Sequence, residues 1–227
     1  MCAQKIKIAT TPSRSPETST EFGTAGTGTR IIRSAFIKLL RNSNDLSHTG
    51  RLTAKMVKVV QSDPLNRWGE RTVANGDLTY LEGFDFFIKK QLRQTLPVII
   101  NADINRKTGV CVVHLPKFIP QEEILMPGGH THVTFVAAAA EVNFDRESFT
   151  ARIVKSNCVD MQQPVSVTLH IMLPKASKQP ILLAFGLQFC RVINGHVHSM
   201  SSQEVNSLCI VKVENAPAPP TKKKPIK

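Results

Sequence analysis

Two His-x-His pairs, His130-Thr131-His132 and His196-Val197-His198, come nearest in type and spacing to metal chemistry. On a strand, side chains two positions apart share a face, so each pair would aim both imidazoles the same way. Two histidines are too few ligands for a closed metal site, and the positions four and five residues past His132 offer no carboxylate. Val136 and Ala137 stand there, and Glu141 lies too far along. The pairs are expected to be solvent-facing turn histidines, with no metal and no cofactor.

The run Gly23-Thr24-Ala25-Gly26-Thr27-Gly28 precedes a helical pattern, where free N–H groups could hold a phosphate. Thr29-Arg30 follows it instead of Lys with Ser or Thr, and no strand leads into it. The run therefore reads as a flexible joint. No G-x-S-x-G elbow is present, and the adjacent carboxylates Glu122-Glu123 fall in a turn pattern, solvated and not catalytic. One Trp and one Tyr provide no platform for stacking bases or sugars. The five cysteines, at 2, 111, 158, 190 and 209, form no C-x-x-C pair and read as reduced thiols, mostly at strand positions. These features point away from an enzyme, and no small-molecule substrate is evident.

Charge gives a stronger signal. The chain of 227 residues carries a net charge of +12, of which residues 1–62 hold +7, residues 63–221 only +1, and the tail from Lys222 the other +4. A nearly neutral body with basic extensions suits an anionic partner. On a helical wheel, Arg30, Arg33, Lys38 and Arg41 lie opposite the apolar arc of Ile31, Ile32, Ala35, Phe36, Leu39 and Leu40. Arg51, Lys55 and Lys58 lie opposite Leu52, Met56, Val57, Val59 and Val60 in a second helix over 47–61. With Lys222, Lys223 and Lys224, these seven side chains are the candidate polyanion-binding set.

The elements that must position these groups follow from pattern. Residues 1–22 read as an extended arm, with Pro12 and Pro16 opposing helix and Ile6 and Ile8 alternating with lysines. Residues 23–62 read as a basic helical hairpin, capped at its start by Thr27 or Thr29, and 63–83 as a connector. From Phe84 to residue 214 the period changes to that of strands. Phe84–Phe86, Val98–Asp103, Val110–Leu115, Thr131–Phe144, Val165–Leu173, Ile181–Ile193 and Ser207–Val213 are rich in β-formers between turn residues. Ala137–Ala140 favours helix by propensity, but its flanks Val133, Phe135, Val142 and Phe144 favour a strand. Val165–Leu173 alternates cleanly, and Asn194-Gly195 signals a tight hairpin. With no helical crossover between them, these strands predict an α+β chain, mainly β: an antiparallel sandwich or jelly-roll-like domain preceded by the basic hairpin. Residues 215–227 form a Pro/Lys tail. No apolar run approaches a membrane span and no cleavable signal is expected, which suggests a cytoplasmic protein.

Segments spread over most of the chain resemble a family of uncharacterised bacterial proteins of about this size. They include Ala9-Thr10, Glu21-Phe22-Gly23-Thr24-Ala25-Gly26, Arg51-Leu52-Thr53, Arg67-Trp68-Gly69-Glu70-Arg71 and Leu81-Glu82-Gly83-Phe84-Asp85-Phe86. Pro127-Gly128-Gly129 with Thr131-His132, and the stretch Leu208 to Val213, complete the set. Longer members carry a short β-hairpin segment ahead of the arm. The resemblance implies no activity, substrate or cofactor and carries over no functional residue.

The expected function is a non-enzymatic structural or interaction protein, a self-associating homo-oligomer subunit linked through the arm at Ile6 and Ile8. The alternative is a nucleic-acid or other polyanion binder acting through the basic helices and lysine tail.

Overall fold

The structure, a computed structural model, describes residues 15–41, 45, 47–125, 130–193, 196–199 and 207–217, with the backbone alone at 191–193 and 196–199. Ile6, Ile8 and Lys222–Lys224 lie outside the described residues, as does the expected Asn194-Gly195 turn.

Helix α1 (Pro16–Ala35) starts inside the segment the sequence assigns to the arm. Ser15 caps it by accepting from the Thr18 N–H at 3.3 Å, Pro16 occupies the first turn, and Glu17 faces the positive end. The glycine-rich run is therefore part of the helix and not a joint before it. Thr27 and Thr29, expected as caps, sit inside it, and the Thr29 hydroxyl donates back to the Ala25 carbonyl at 2.9 Å. Two contacts hold the glycine-rich half in place. Buried Glu21 accepts from the Gly69 N–H at 3.0 Å and pairs with Arg71 at 3.7 Å. Gly28 lets α1 approach its neighbour closely: a Cβ there would lie 2.5 Å from Met56 Cε and 3.1 Å from Val73 Cγ2.

After a break at Phe36 come α2 (Ile37–Leu40) and α3 (His48–Gln61), the latter close to its expected span. Apolar residues on α1 and α3 meet in one buried cluster with Phe36 and Phe86, whose rings sit edge-on at 5.9 Å. A 3-10 turn (Leu78–Leu81), α4 (Leu92–Thr95) and α5 (Pro120–Glu123) complete the helical elements.

The strands form two antiparallel sheets. β1 (Asn101–Asn105), β2 (Val110–Phe118) and β6 (Val165–Met172) make a three-stranded sheet in the order β1-β2-β6. The larger sheet holds β3 (His132–Asn143), β4 (Ser148–Lys155), β5 (Val159–Asp160), β7 (Ile181–Ile193), β8 (His196–Ser199) and β9 (Ser207–Glu214). β3 pairs with β4, β5 and β7, and β7 pairs in turn with β8 and β9. Ala137–Ala140 is indeed strand, and all four alanines are fully buried. Ala138 and Ala140 face the helices together with Leu182 and Ala184. Ala137 and Ala139 join a second cluster with β2 and β6 residues such as Val113, Leu115, Leu169 and Ile171. Small side chains let both layers close on this strand, which overrides the helix propensity of alanine.

Phe84–Phe86 is not a full strand. It bridges β9 at Asp85 opposite Cys209, with Gly83 and Phe86 N–H groups donating to the Ile210 and Leu208 carbonyls. The next expected strand begins at Asn101 and not at Val98. The β1–β2 turn closes on Gly109, whose φ of +75° excludes most side chains and where a Cβ would meet the Leu173 carbonyl at 2.3 Å.

The connector after α3 is organised by Asp63. Burial alone would raise its carboxyl, but hydrogen bonds from the Asn66 amide and the Thr72, Leu65 and Asn66 N–H groups hold it down at about 2 from the ordinary 3.8. The unfolded chain therefore takes up this proton at higher pH than the folded one. The stabilisation is complete above about pH 4 and is lost as the pH falls towards 2. Asp63→Ala should cost roughly 2 kcal/mol at neutral pH and lose less stability than wild type between pH 4 and 2.5 in urea titrations. A parallel fall in both proteins would refute the assignment. Gly23→Ala and Gly26→Ala should each stabilise by roughly 0.5–1 kcal/mol, since an added Cβ meets nothing within 4 Å. A lowered urea midpoint for either would contradict this helix.

Candidate functional site

The basic set on α1, α2 and α3 separates into two groups once its neighbours are in place. Arg30 pairs with Glu147 in the turn between β3 and β4, with Nη2 to Oε2 at 2.5 Å. Both side chains are about half exposed, so the pair adds little stability and mainly spends the charge. Arg33 donates through Nε to His48 Nε2 at 3.2 Å, and His48 Nδ1 meets the Asp45 carbonyl. A guanidinium can only donate, so Nε2 accepts and Nδ1 carries the hydrogen towards Asp45.

Arg51 is the clear departure from the wheel. It is half-buried, and Nη1 donates to the Asp85 carbonyl at 2.7 Å while Nη2 donates to the Phe86 carbonyl at 3.0 Å. Nη2 also pairs with Asp45 at 3.4 Å, Nε reaches the Ser47 hydroxyl at 3.3 Å, and the guanidinium lies 5.4 Å from the Phe84 ring centre. Arg51 thus ties the start of α3 to the Phe84–Phe86 segment and is not part of a solvent-facing basic surface. The wheel missed this because the partners come from 34 residues along the chain. The remaining four residues, Lys38, Arg41, Lys55 and Lys58, have no acidic partner among the described residues. Lys38, Arg41 and Lys58 are exposed and Lys55 is half-exposed.

Asp45 completes the Arg51 hub. Burial opposes its ionisation, but the Ser47 hydroxyl, the Ile88 and Ser47 N–H groups and Arg51 together hold the carboxyl below the usual range. Asp77 is lowered by the Asn215 amide first, then by the Thr79 hydroxyl, and the Thr79 N–H adds to both against burial. Burial raises Asp85, against a hydrogen bond from the Leu92 N–H, and burial followed by the nearby Asp85 charge pushes the Cys209 thiol up to about 12. Asp45 and Asp77 are lowered by hydrogen bonds within turns and caps, and Asp85 is raised by its burial, so each shift has a structural origin.

The two histidines of the first pair do not converge. His130 precedes β3 and lies against the Phe189 ring at 5.2 Å, while His132 pairs across the ladder with Cys190 on the other face of β7. His196 and His198 pair along the backbone with Ile193 and Arg191. Among the described residues no group of three or more His, Cys, Asp or Glu stands close enough to hold a metal ion. A cleft of about 1020 Å³ runs past Asp103, Asn105, Lys107 and Glu214. Arg106 at its wall bonds the Ser177, Gln179 and Asn215 carbonyls and the Glu214 carboxylate, holding the ends of three strands together.

Sheet edges are the other feature that can engage a partner. The outer edge of β9 is covered by residues 83–86. β4 carries Arg152 and Lys155, and β1 is five residues long and carries Asp103. β6 is different: eight residues, Val165 to Met172, at the end of its sheet, with no Pro, Lys, Arg, Asp or Glu. Ser166, Thr168, His170 and Met172 alternate outward along it. At its start Val165 pairs with Phe118, and α5 with exposed Glu122 and Glu123 follows directly.

No helix among the described residues is long and apolar enough to cross a membrane. No protein-family model matches the chain, and no curated protein is significantly similar to it. Arg51→Lys, which keeps charge but not the forked geometry, should destabilise by roughly 2–3 kcal/mol. Lys58→Gln should change the urea midpoint by no more than a few tenths of a molar. Equal effects would remove the distinction between the two groups.

Proposed function

We propose that the protein is a non-enzymatic structural subunit that self-associates, with the segment before Ser15 adding as a strand to the β6 edge of a neighbouring copy. In this reading the two sheets form a sandwich of the jelly-roll kind, and the helices over 16–61 form a hairpin against one face. The shared apolar cluster between the sheets supports the first part, and the apposition of α1 and α3 supports the second.

The observation that carries the proposal is the undefended β6 edge. Soluble proteins normally protect an edge strand with charge, proline, a bulge or a covering segment, and every other outer edge described above has such a device. Among the described residues β6 has no charge, proline or covering segment, and the one irregularity in its ladder adds its extra residue to β2, between Leu115 and Phe118. The Lys5-Ile6-Lys7-Ile8 alternation supplies apolar residues at strand spacing, with lysines to meet Glu122 and Glu123 at one end of that edge.

A second reading, binding of nucleic acid or another polyanion, is favoured by the four unpaired bases Lys38, Arg41, Lys55 and Lys58. Arg51 drops out of that set, and Arg30 and Arg33 are already engaged.

Light scattering on the full chain and on a chain lacking residues 1–14, which keeps the Ser15 cap, tests the first reading. The full chain should be oligomeric at tens of micromolar, and both the truncation and Thr168→Lys should reduce the mass towards a monomer. An unchanged mass in both variants overturns arm-to-edge assembly. Neutralising the four free bases should abolish retention of duplex DNA if the second reading holds, with a log–log salt slope of about −0.9 per phosphate contact in the parent.

A further inference from the structure

Cys158 and Cys190 are 32 residues apart and belong to no recognisable motif, yet their sulfurs stand 2.7 Å from each other. That is about 0.7 Å beyond the length of an S–S bond. The sheet explains the meeting. β3 pairs with β5 at Val133 opposite Val159, and with β7 at His132 opposite Cys190. The two cysteines therefore flank β3 near the same level, and the Thr134 hydroxyl between them lies 4.0 Å from the Cys190 sulfur. Cys190 is buried on a long strand, whereas Cys158 is half-exposed and ends the irregular stretch between β4 and β5. Ser156 is tied to Phe135 on β3 through its N–H and its hydroxyl, so the small shift that bond formation requires falls to Asn157 and Cys158.

We infer that Cys158 and Cys190 are a redox modification site that closes to an intramolecular disulfide when the protein meets hydrogen peroxide. Cys158, the accessible partner, reacts first: its thiol takes one oxygen from the peroxide to give a sulfenic acid, and water leaves. The Cys190 sulfur then attacks the Cys158 sulfur. The S–O bond breaks, and the hydroxyl departs as a second water with the Cys190 proton. Two thiols have been oxidised by two electrons, and one peroxide has been reduced to two waters. Burial, together with the adjacent Cys158 sulfur, pushes the Cys190 thiol up to about 12, which keeps it protonated and leaves Cys158 to be oxidised first. Cys111 and Cys209 are buried and sit in other parts of the core, with no cysteine sulfur against either among the described residues.

The product would staple the end of β4 and the start of β5 to β7, across β3. Closing a loop of this length is expected to raise Tm by roughly 5–10 °C.

The test uses the full chain, reduced and then treated with stoichiometric hydrogen peroxide, alkylated after denaturation and digested with trypsin without reductant. The expected result is a linked pair of peptides, 156–175 with 179–191, an intact mass lower by about two hydrogens, and a Tm that rises and is reversed by dithiothreitol. Cys111→Ser should retain the linkage, while Cys158→Ser and Cys190→Ala should each abolish it. The wild-type mass and Tm need no variant to fold. A disulfide between chains, a bond from either residue to Cys2, or Cys158 driven to the sulfinic acid with Cys190 still alkylatable would each overturn the assignment.

Discussion

The two strands β3 and β7 have to be apolar on both faces, and the rest of the molecule is arranged around that requirement. One face of this pair receives α1 and α3, and the other receives the three-stranded sheet. A strand covered on one side only would show the alternation of β6, with its inward Val167, Leu169 and Ile171 and its outward Thr168 and His170. Instead β7 is buried without interruption from Ile181 to Leu187, and β3 from Phe135 to Ala140. Aromatic rings at Phe135 and Phe185 stack at 6.2 Å on the side away from the helices. The alanines beside them keep the layer thin enough for α1 to reach across to Phe144 and Ala151 on the helix side.

This double coverage explains which parts of the fold were legible in the chain. Alternation in β6, the continuous apolar run of β7 and the amphipathic α3 depend on each element's own face, and the sequence carries them directly. The alanine run in β3 was resolved by its β-branched and aromatic flanks. The first half of α1 was missed, because glycine and threonine dominate it and intrinsic propensity opposes helix there. A local signal did exist: Ser15 followed by Pro16 and Glu17 is a helix start. The anchor that makes the helix hold, Glu21 to Gly69 and Arg71, comes from 48 residues away or more and leaves no periodic trace.

The candidate site shows the same division more sharply. A helical wheel treats every residue opposite the apolar arc as solvent-facing, and Arg51 is not, because the Phe84–Phe86 segment lies over it. The meeting of Cys158 with Cys190 is also invisible to spacing rules, since it depends on β3 having partners on both edges. Composition overstates the free charge for a related reason. Of the seven helix bases, Arg30 and Arg51 face carboxylates and Arg33 faces an imidazole.

What is left of the positive charge has a consequence for how the chain can engage a partner. The uncommitted bases on the helices lie on one layer of the molecule, while the undefended edge at β6 belongs to the three-stranded sheet on the other side of β3 and β7. A polyanion and a neighbouring copy would therefore not compete for the same surface. In the proposed assembly the lysines at 5 and 7 would serve the second kind of contact, because they alternate with isoleucines and acidic side chains stand at the end of the edge. Charge of this sort steers an encounter and fixes its direction more than it adds to its strength. The strength would come from the backbone groups that β6 presents along its length, and these are indifferent to salt. Association through β6 and retention on a polyanion should then separate cleanly as ionic strength rises: the first persists where the second is lost.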